Sequence, residues 1–345
     1  MIDRTVKLGA LAAAALAASA IATPASAFLD GKTVTVIVPS GSGGTFHLYG
    51  QLVQRHIGKH LPGKPNVVVQ NRPGAGGVKA ANYMAQAAPK DGTVIAEINP
   101  GSVIIPLMRK VRFDPRSLNW IGTVSVRTYT MAVWHDVAAD TIGKHKKTQV
   151  IMGASGVGST NFQLPTFLNH VIGTKYKIIK GYKGGGAINL AMARGEVQGR
   201  GNYYSGYLGA KPHWIREKKV KIFATIGPVR PEVKDVPRLR DLVKGEMNQK
   251  MLGLLEVGFN IGQAFYLPPG TPKARVDTIR KAFTAMLQDK AMLAEAARRK
   301  VPVNSRTWED NEKVVNAAFG VDKTVSDNLS KILGFDKKRK KKKKK

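Results

Sequence analysis

The run Thr33-Val34-Thr35-Val36-Ile37-Val38 ends at Pro39 and gives way to Ser40-Gly41-Ser42-Gly43-Gly44. Tyr49, Leu52, Val53, His56, Ile57 and His60 then follow at helical spacing. A β-branched run, a Gly/Ser turn and a helical apolar period predict strand, turn and helix in that order. The order repeats. Strands are expected at Asn66 to Gln70 and Thr93 to Ile98, with a helix between them at Val78 to Ala88, stopped by Pro89 and Asp91-Gly92. Further on, Gln149 to Met152 leads through Gly153-Ala154-Ser155-Gly156-Val157-Gly158-Ser159-Thr160 into a helix reaching Ile172. Lys177 to Lys180, Gly184-Gly185-Gly186 and Ala187 to Arg194 restate the pattern. A strand at Val197 to Tyr203 and helices at Pro272 to Gln288 and Ala291 to Arg299 follow. Such alternation predicts an α/β fold in which mostly parallel sheets are covered by helices on both faces.

Two of these junctions, Ser40 to Thr45 and Ser155 to Thr160, have the chemistry of an anion site. The first backbone N–H groups of a helix lack intrahelical partners, and the helix start carries a partial positive charge. Small residues let a ligand approach that backbone, and the hydroxyls add donors. In open α/β sheets, ligands lie beyond the carboxyl ends of the strands. Two such turns from two domains can therefore grip one anion. A tight connection without a ligand is the simpler alternative for either turn alone.

The start of the chain bears on compartment. Arg4 and Lys7, an almost wholly apolar run from Leu8 to Ala22, and Pro24 before Ala25-Ser26-Ala27 read as a secretory leader cleaved after Ala27. The run is shorter than the roughly 20 residues of a membrane span, and no later stretch is longer, so residues 28–345 are expected to be soluble. Cysteine is absent, which removes disulfides, thiolate metal sites and cysteine nucleophiles together.

The formal charge is +32, from 55 Lys+Arg against 23 Asp+Glu. The last nine residues, Lys337 to Lys345, are all Lys or Arg, yet the rest still carries +23. A basic body concentrates anions at its surface. The tail itself repels and is expected to be a disordered basic segment at 337–345. Adhesion to anionic lipid or nucleic acid is the alternative. The tail has no aromatic side chain for stacking on bases, so no specific nucleic-acid partner is expected.

Enzymatic signatures fail on inspection. Gly156-Val157-Gly158 continues Ser159-Thr160-Asn161, without the third glycine of a dinucleotide fingerprint, and Lys180 stands where its acid belongs. No Gly-rich loop runs into Gly-Lys-Ser/Thr. Val157 replaces the second glycine of a nucleophile elbow around Ser155. His56 and His60 are spaced i, i+4 with no glutamate between them in a zincin pattern, and read as a helix face. No enzyme activity, metal or cofactor is expected. A hydrolase built on Ser42, His47 or Ser155 would need an orienting acid that these motifs do not offer.

Seven pieces carry a resemblance. They are Val38-Pro39 before Gly43-Gly44-Thr45; Gln70-Asn71-Arg72-Pro73-Gly74-Ala75-Gly76-Gly77; Ala88-Pro89-Lys90-Asp91-Gly92-Thr93; Ser155-Gly156-Val157-Gly158-Ser159; Tyr182-Lys183-Gly184-Gly185 before Gly195-Glu196-Val197; Asp235-Val236-Pro237; and Pro269-Gly270-Thr271-Pro272. In this order they resemble the Bug, or TctC-type, substrate-binding receptors of tripartite tricarboxylate transporters, across nearly all of residues 28–345. The resemblance implies a periplasmic, two-domain Venus-flytrap clamshell, with domain 1 at 28–126 plus 227–336 and domain 2 at 127–226. It also implies a carboxylate ligand held by backbone amides and hydroxyls of the two Gly/Ser turns, and delivery by a monomeric receptor to integral-membrane transporter subunits. Carried onto this chain, the ligand-binding set is Ser40, Gly41, Ser42, Gly43, Gly44, Thr45, His47, Ser155, Gly156, Gly158, Ser159, Thr160, Gly184, Asn202 and Tyr203.

Several positions depart from the family pattern. Asp is common after G-G-x-x, where this chain has His47. The family's His after G-S-x-x is Phe162 here, its Asp after G-x-V is Gln198, and an Asp-Asn pair appears as Asn202-Tyr203. Acids thus leave the expected cleft. Strand alternation puts Gln198, Arg200 and Asn202 on one face, so the ligand, a small organic anion, is expected to lack an ammonium group and to be more anionic or aromatic. Phe46, Phe162, Tyr203 and Tyr204 form either an aromatic wall or core packing. A receptor that signals to a sensor partner, and a basic protein that binds polyanions, remain the competing readings.

Overall fold

The structure is a computed structural model that describes residues 28–336; the expected leader and the basic tail lie outside the described residues. Ten strands form two five-stranded sheets. The first contains β1 (Thr33–Val38), β2 (Asn66–Asn71), β3 (Val94–Glu97), β4 (Asn119–Thr123) and β10 (Ala264–Leu267), in the order β2-β1-β3-β10-β4. The second contains β5 (Tyr129–Trp134), β6 (Val150–Ala154), β7 (Tyr176–Lys180), β8 (Gly199–Tyr203) and β9 (Val220–Ile226), in the order β7-β6-β8-β5-β9. Helices flank both sheets, so the molecule has the expected two-sheet α/β architecture.

The sheets are mostly parallel, as expected, with one reversed strand in each. β1 pairs parallel with β2 and β3, and β6 with β7 and β8, but β10 runs antiparallel to both its neighbours, as does β5. The cause is the route of the chain. It leaves the first sheet after β4, enters the second directly at β5, and comes back from β9 to β10. A strand entered from the other lobe is not bound by the right-handed βαβ crossover that makes neighbours parallel.

Period-two burial explains the first sheet. Val34 and Val36 face one apolar cluster, with Tyr49, Leu52, Phe265 and Phe283, while Ile37 faces another, with Met84, Trp120 and Tyr266. In the second sheet, Met131, Val133 and Met152 pack on Leu164 and Phe167 of the helix Thr160–Val171. That cluster continues into Leu252, Leu255 and Phe259 of the helix Glu246–Ile261 and Leu329 of the helix Lys323–Ile332. Ala132, Ile188, Met192 and Trp214 fill the other face. Among the described residues no helix is long and apolar enough to cross a membrane.

Between the sheets the chain crosses beside Ser125. Gln263 N donates to Ser125 O at 2.9 Å and Val126 N to Asn304 O at 3.0 Å, so three segments run side by side there. Under them lies a polar cluster. Arg127, almost fully buried, bonds the Gln263 side chain, and its guanidinium stacks 3.8 Å from the Tyr203 ring centre and 4.8 Å from that of Tyr49. Glu97, at the end of β3, is fully buried with neither carboxyl oxygen hydrogen-bonded. Burial pushes its carboxyl well above the ordinary carboxylate range, and the nearby Arg127 charge pulls the other way.

Candidate functional site

Three helices begin at one cleft between the sheets. They are Thr45–Ile57 after β1, Thr160–Val171 after β6, and Gly185–Ala193 after β7. Their N-caps, Gly44, Ser159 and Gly184, supply no side-chain cap, and none of the three has an acid in its first turn. An uncapped helix start leaves backbone donors free and a partial positive charge unopposed. The Ser159 hydroxyl turns back to Gly156 O at 2.6 Å, and the Ser155 N–H is taken by Asn161 Oδ1 at 3.1 Å, which fixes the β6 loop.

The loops meet across the cleft, backbone to backbone. Gly41 N donates to Lys183 O at 2.7 Å and Gly158 N to Ala75 O at 3.1 Å. The Gln163 amide donates to Gly101 O at 2.8 Å. Glycine is required at this seam: Gly76, at φ +68°, faces the Ser159 amide so closely that a Cβ there would collide with backbone. The lobes are therefore closed on each other. The space left between them is about 40 Å³ open to the centre of a water-sized sphere, so a ligand larger than a few atoms enters only when the lobes part.

The structure brings Ser40, Thr45, Ser155, Ser159, Thr160, Gly184, Asn202 and Tyr203 together on the cleft lining. Gly41, Gly43 and Gly44 instead pack against Lys183, Gly185 and Gly186 across the seam, and Gly156 and Gly158 against Ala75 and Gly76. Ser42 is exposed. His47 is half-buried and off the lining; its Nδ1 has no partner, and burial pulls its pKa below the ordinary value, opposed by the nearby Asn71 side chain. Of the four aromatics, Phe46 and Tyr203 line the cleft, edge to face at 6.4 Å. Phe162 lies under Lys180 and Tyr204 under Arg230, away from the lining.

Other lining residues were not in the expected set: Gly74 and Gly76 of the Arg-Pro-Gly loop, Asn99, Tyr129, Lys183 and, above all, Arg200. The seven-piece pattern already marked the Arg-Pro-Gly loop. For Arg200 the only signal was its place on the alternating face of a strand. Its side chain is 4 % exposed. Nε donates to Gly201 O at 3.1 Å, Nη1 to Gly185 O at 2.7 Å and to Asn189 Oδ1 at 2.6 Å, and Nη2 to Asn202 Oδ1 at 3.3 Å. Every acceptor is neutral. Among the described residues no carboxylate lies within ion-pairing distance of it.

Nearby, the Tyr203 hydroxyl is buried without a partner, and burial pushes its pKa up to about 12, so it stays protonated as a donor. Ser155 Oγ bonds Asn161 rather than a histidine. His56 and His60 pair with Glu295 at 2.7 Å and Asp289 at 2.8 Å on the far side of the first helix, joining it to the helix Lys290–Arg298 and its cap. No group of three metal-binding side chains occurs among the described residues.

The chain is similar in sequence and fold to known proteins. Residues 51–317 match the family model described as the tripartite tricarboxylate transporter family receptor. A UPF0065 protein from the gbd 5′ region of Cupriavidus necator is 25% identical over 287 residues, covering 79% of this chain and 81% of that one. Among solved structures, the periplasmic binding protein BugD superposes with a TM-score of 0.70 at 23% identity, over 87% of this chain and 97% of its own. MatC from Rhodopseudomonas palustris with bound malate superposes with a TM-score of 0.67 at 18% identity, over 86% of this chain and 98% of its own.

Proposed function

The chain belongs to the tripartite tricarboxylate transporter receptor family, and from that premise we propose that it captures a small organic anion, in the simplest case a carboxylate, between the loops after β1 and β6 and delivers it to integral-membrane transporter subunits. The observation that carries this reading is the charge of the cleft. The charged lining residues are Lys183 and Arg200, and no Asp or Glu is among them. Three uncapped helix starts add partial positive charge from both sides. The similar fold of MatC with bound malate is a precedent for a carboxylate ligand on this fold.

In this reading Ser40, Thr45, Thr160 and the Tyr203 hydroxyl offer donors, Ser155 and Ser159 shape the β6 loop through their own bonds to Asn161 and Gly156, and the glycines of the loops let the lobes close. The moving bodies are 28–126 with 227–336 and 127–226, hinged beside Ser125. Closure removes water and so strengthens each charge–dipole contact. The receptor acts in the periplasm as a monomer after loss of residues 1–27, needs no metal or cofactor, and performs no chemistry on its cargo.

Titration with small carboxylates, followed by calorimetry and small-angle scattering, tests the reading. Saturable one-to-one binding with contraction of the molecule supports it. Turnover of the ligand, or binding confined to polyanions, overturns it.

A further inference from the structure

Arg200 is a buried cation without a counter-ion in the protein. Its four neutral acceptors orient the guanidinium but leave its net charge uncompensated, 4 % exposed and on the cleft lining. Burying an ion without an opposite charge is expensive even when its hydrogen bonds are satisfied. The two side chains placed to neutralise it, Asn189 at 2.6 Å from Nη1 and Asn202 at 3.3 Å from Nη2, are both amides, and Asn202 is the one on the cleft lining. The second lining cation, Lys183, is exposed and keeps its charge in water.

The cleft thus offers two kinds of positive site. One is the set of helix starts, which suits a single carboxylate. The other is the Arg200 guanidinium, whose charge is uncompensated and whose Nη2 keeps one N–H beyond its bond to Asn202, which suits a second carboxylate or an equivalent anion. We propose that Arg200 is the specificity-determining residue of this receptor, and that it selects ligands bearing a second negative group, dicarboxylates over monocarboxylates of the same length. Asn202 keeps that selection in place by orienting the guanidinium without neutralising it. The proposal rests on the anion-receptor reading above and adds the charge of the ligand and the residue that reads it.

The experiment compares wild type with Arg200→Gln and Asn202→Asp, titrating each with succinate and with butyrate. In the wild type, succinate binds at least about tenfold more tightly than butyrate, the discrimination expected of one buried ion pair. Arg200→Gln lowers succinate affinity while leaving butyrate within about twofold, which abolishes the ratio. Asn202→Asp places a carboxylate beside Nη2. It raises the melting temperature of the ligand-free protein and also abolishes the ratio, so loss of selectivity is separated from loss of fold. A wild type that binds both anions with equal affinity, or an Arg200→Gln variant that keeps the wild-type ratio, overturns the proposal and leaves the receptor reading standing. A wild type that binds no small anion overturns both.

Discussion

The backbone amide of Gly41 donates to the carbonyl oxygen of Lys183 at 2.7 Å, although the first follows β1 in one sheet and the second follows β7 in the other. The cleft is therefore closed by main chain meeting main chain. Gly41, Gly44, Gly184 and Gly186 approach one another so closely that side chains on them would hold the lobes apart. Closure here depends on the absence of side chains as much as on any contact.

Gly186→Ala tests that dependence. A methyl at Gly186 would lie 2.5 Å from the Ser42 carbonyl oxygen across the cleft, and backbone cannot yield cheaply. Gly186 is also inside the helix Gly185–Ala193, where alanine is favoured over glycine by up to about 1 kcal/mol. The variant is expected to melt higher than wild type without ligand, yet to bind its ligand at least about tenfold more weakly. Calorimetric titration and scanning calorimetry on the same sample read the two opposite signs.

Glu97→Gln addresses the buried acid beneath the hinge. Because burial raises the folded-state pKa of Glu97, the folded protein holds that proton to a higher pH than the unfolded chain does. Its stability is fully present below the ordinary carboxylate pKa and is lost as pH rises toward the raised one. Glutamine does not titrate. The melting temperature of the variant should exceed that of wild type by a margin that widens from about pH 4 to about pH 8. A margin that narrows over that range contradicts the assignment.

Tyr203→Phe removes the buried, unpartnered hydroxyl at the cleft and keeps the ring against Arg127. Stability should hold. Ligand affinity should fall by about three- to tenfold, the net worth of one hydrogen bond, as measured by titration.

How much of this was legible in the sequence depends on what fixes each feature. β1 was plain because Val34 and Val36 meet one core cluster on one face and Ile37 meets another on the opposite face. The helix expected at Val78 to Ala88 ends at Gln86, where the Ala87 and Ala88 amides both turn back to Tyr83 O, a termination that Pro89 only approximates. The mixed direction of β10 and β5 was hidden, since pairing direction follows the crossing of the chain between lobes rather than any local pattern. Arg200 was hidden for a similar reason. A short strand with glycine on either side of the arginine looks solvent-facing until the helix Gly185–Ala193 lies over it and accepts its hydrogen bonds. His47 illustrates the converse: a position carried over from a motif follows the lining residues Thr45 and Phe46 in the first turn of the helix without joining them.

Salt separates cleft binding from surface binding. An anion enclosed between the lobes is shielded from mobile ions, so its affinity should change by less than about threefold between about 50 and 500 mM salt. Attraction of polyanions to the +32 chain should fall by orders of magnitude over the same range. Titrations at the two salt concentrations decide which applies.

The most direct test of the central claim is a thermal-shift screen of residues 28–345 against mono-, di- and tricarboxylates, aromatic acids, phosphate and amino acids. A ligand at about 100 times its dissociation constant adds about 2.7 kcal/mol to stability and raises the melting temperature by several degrees. The account predicts a rise with one class of carboxylate that persists at high salt. A flat screen on protein shown to be free of copurified ligand, or shifts only with polyanions at low salt, would contradict it.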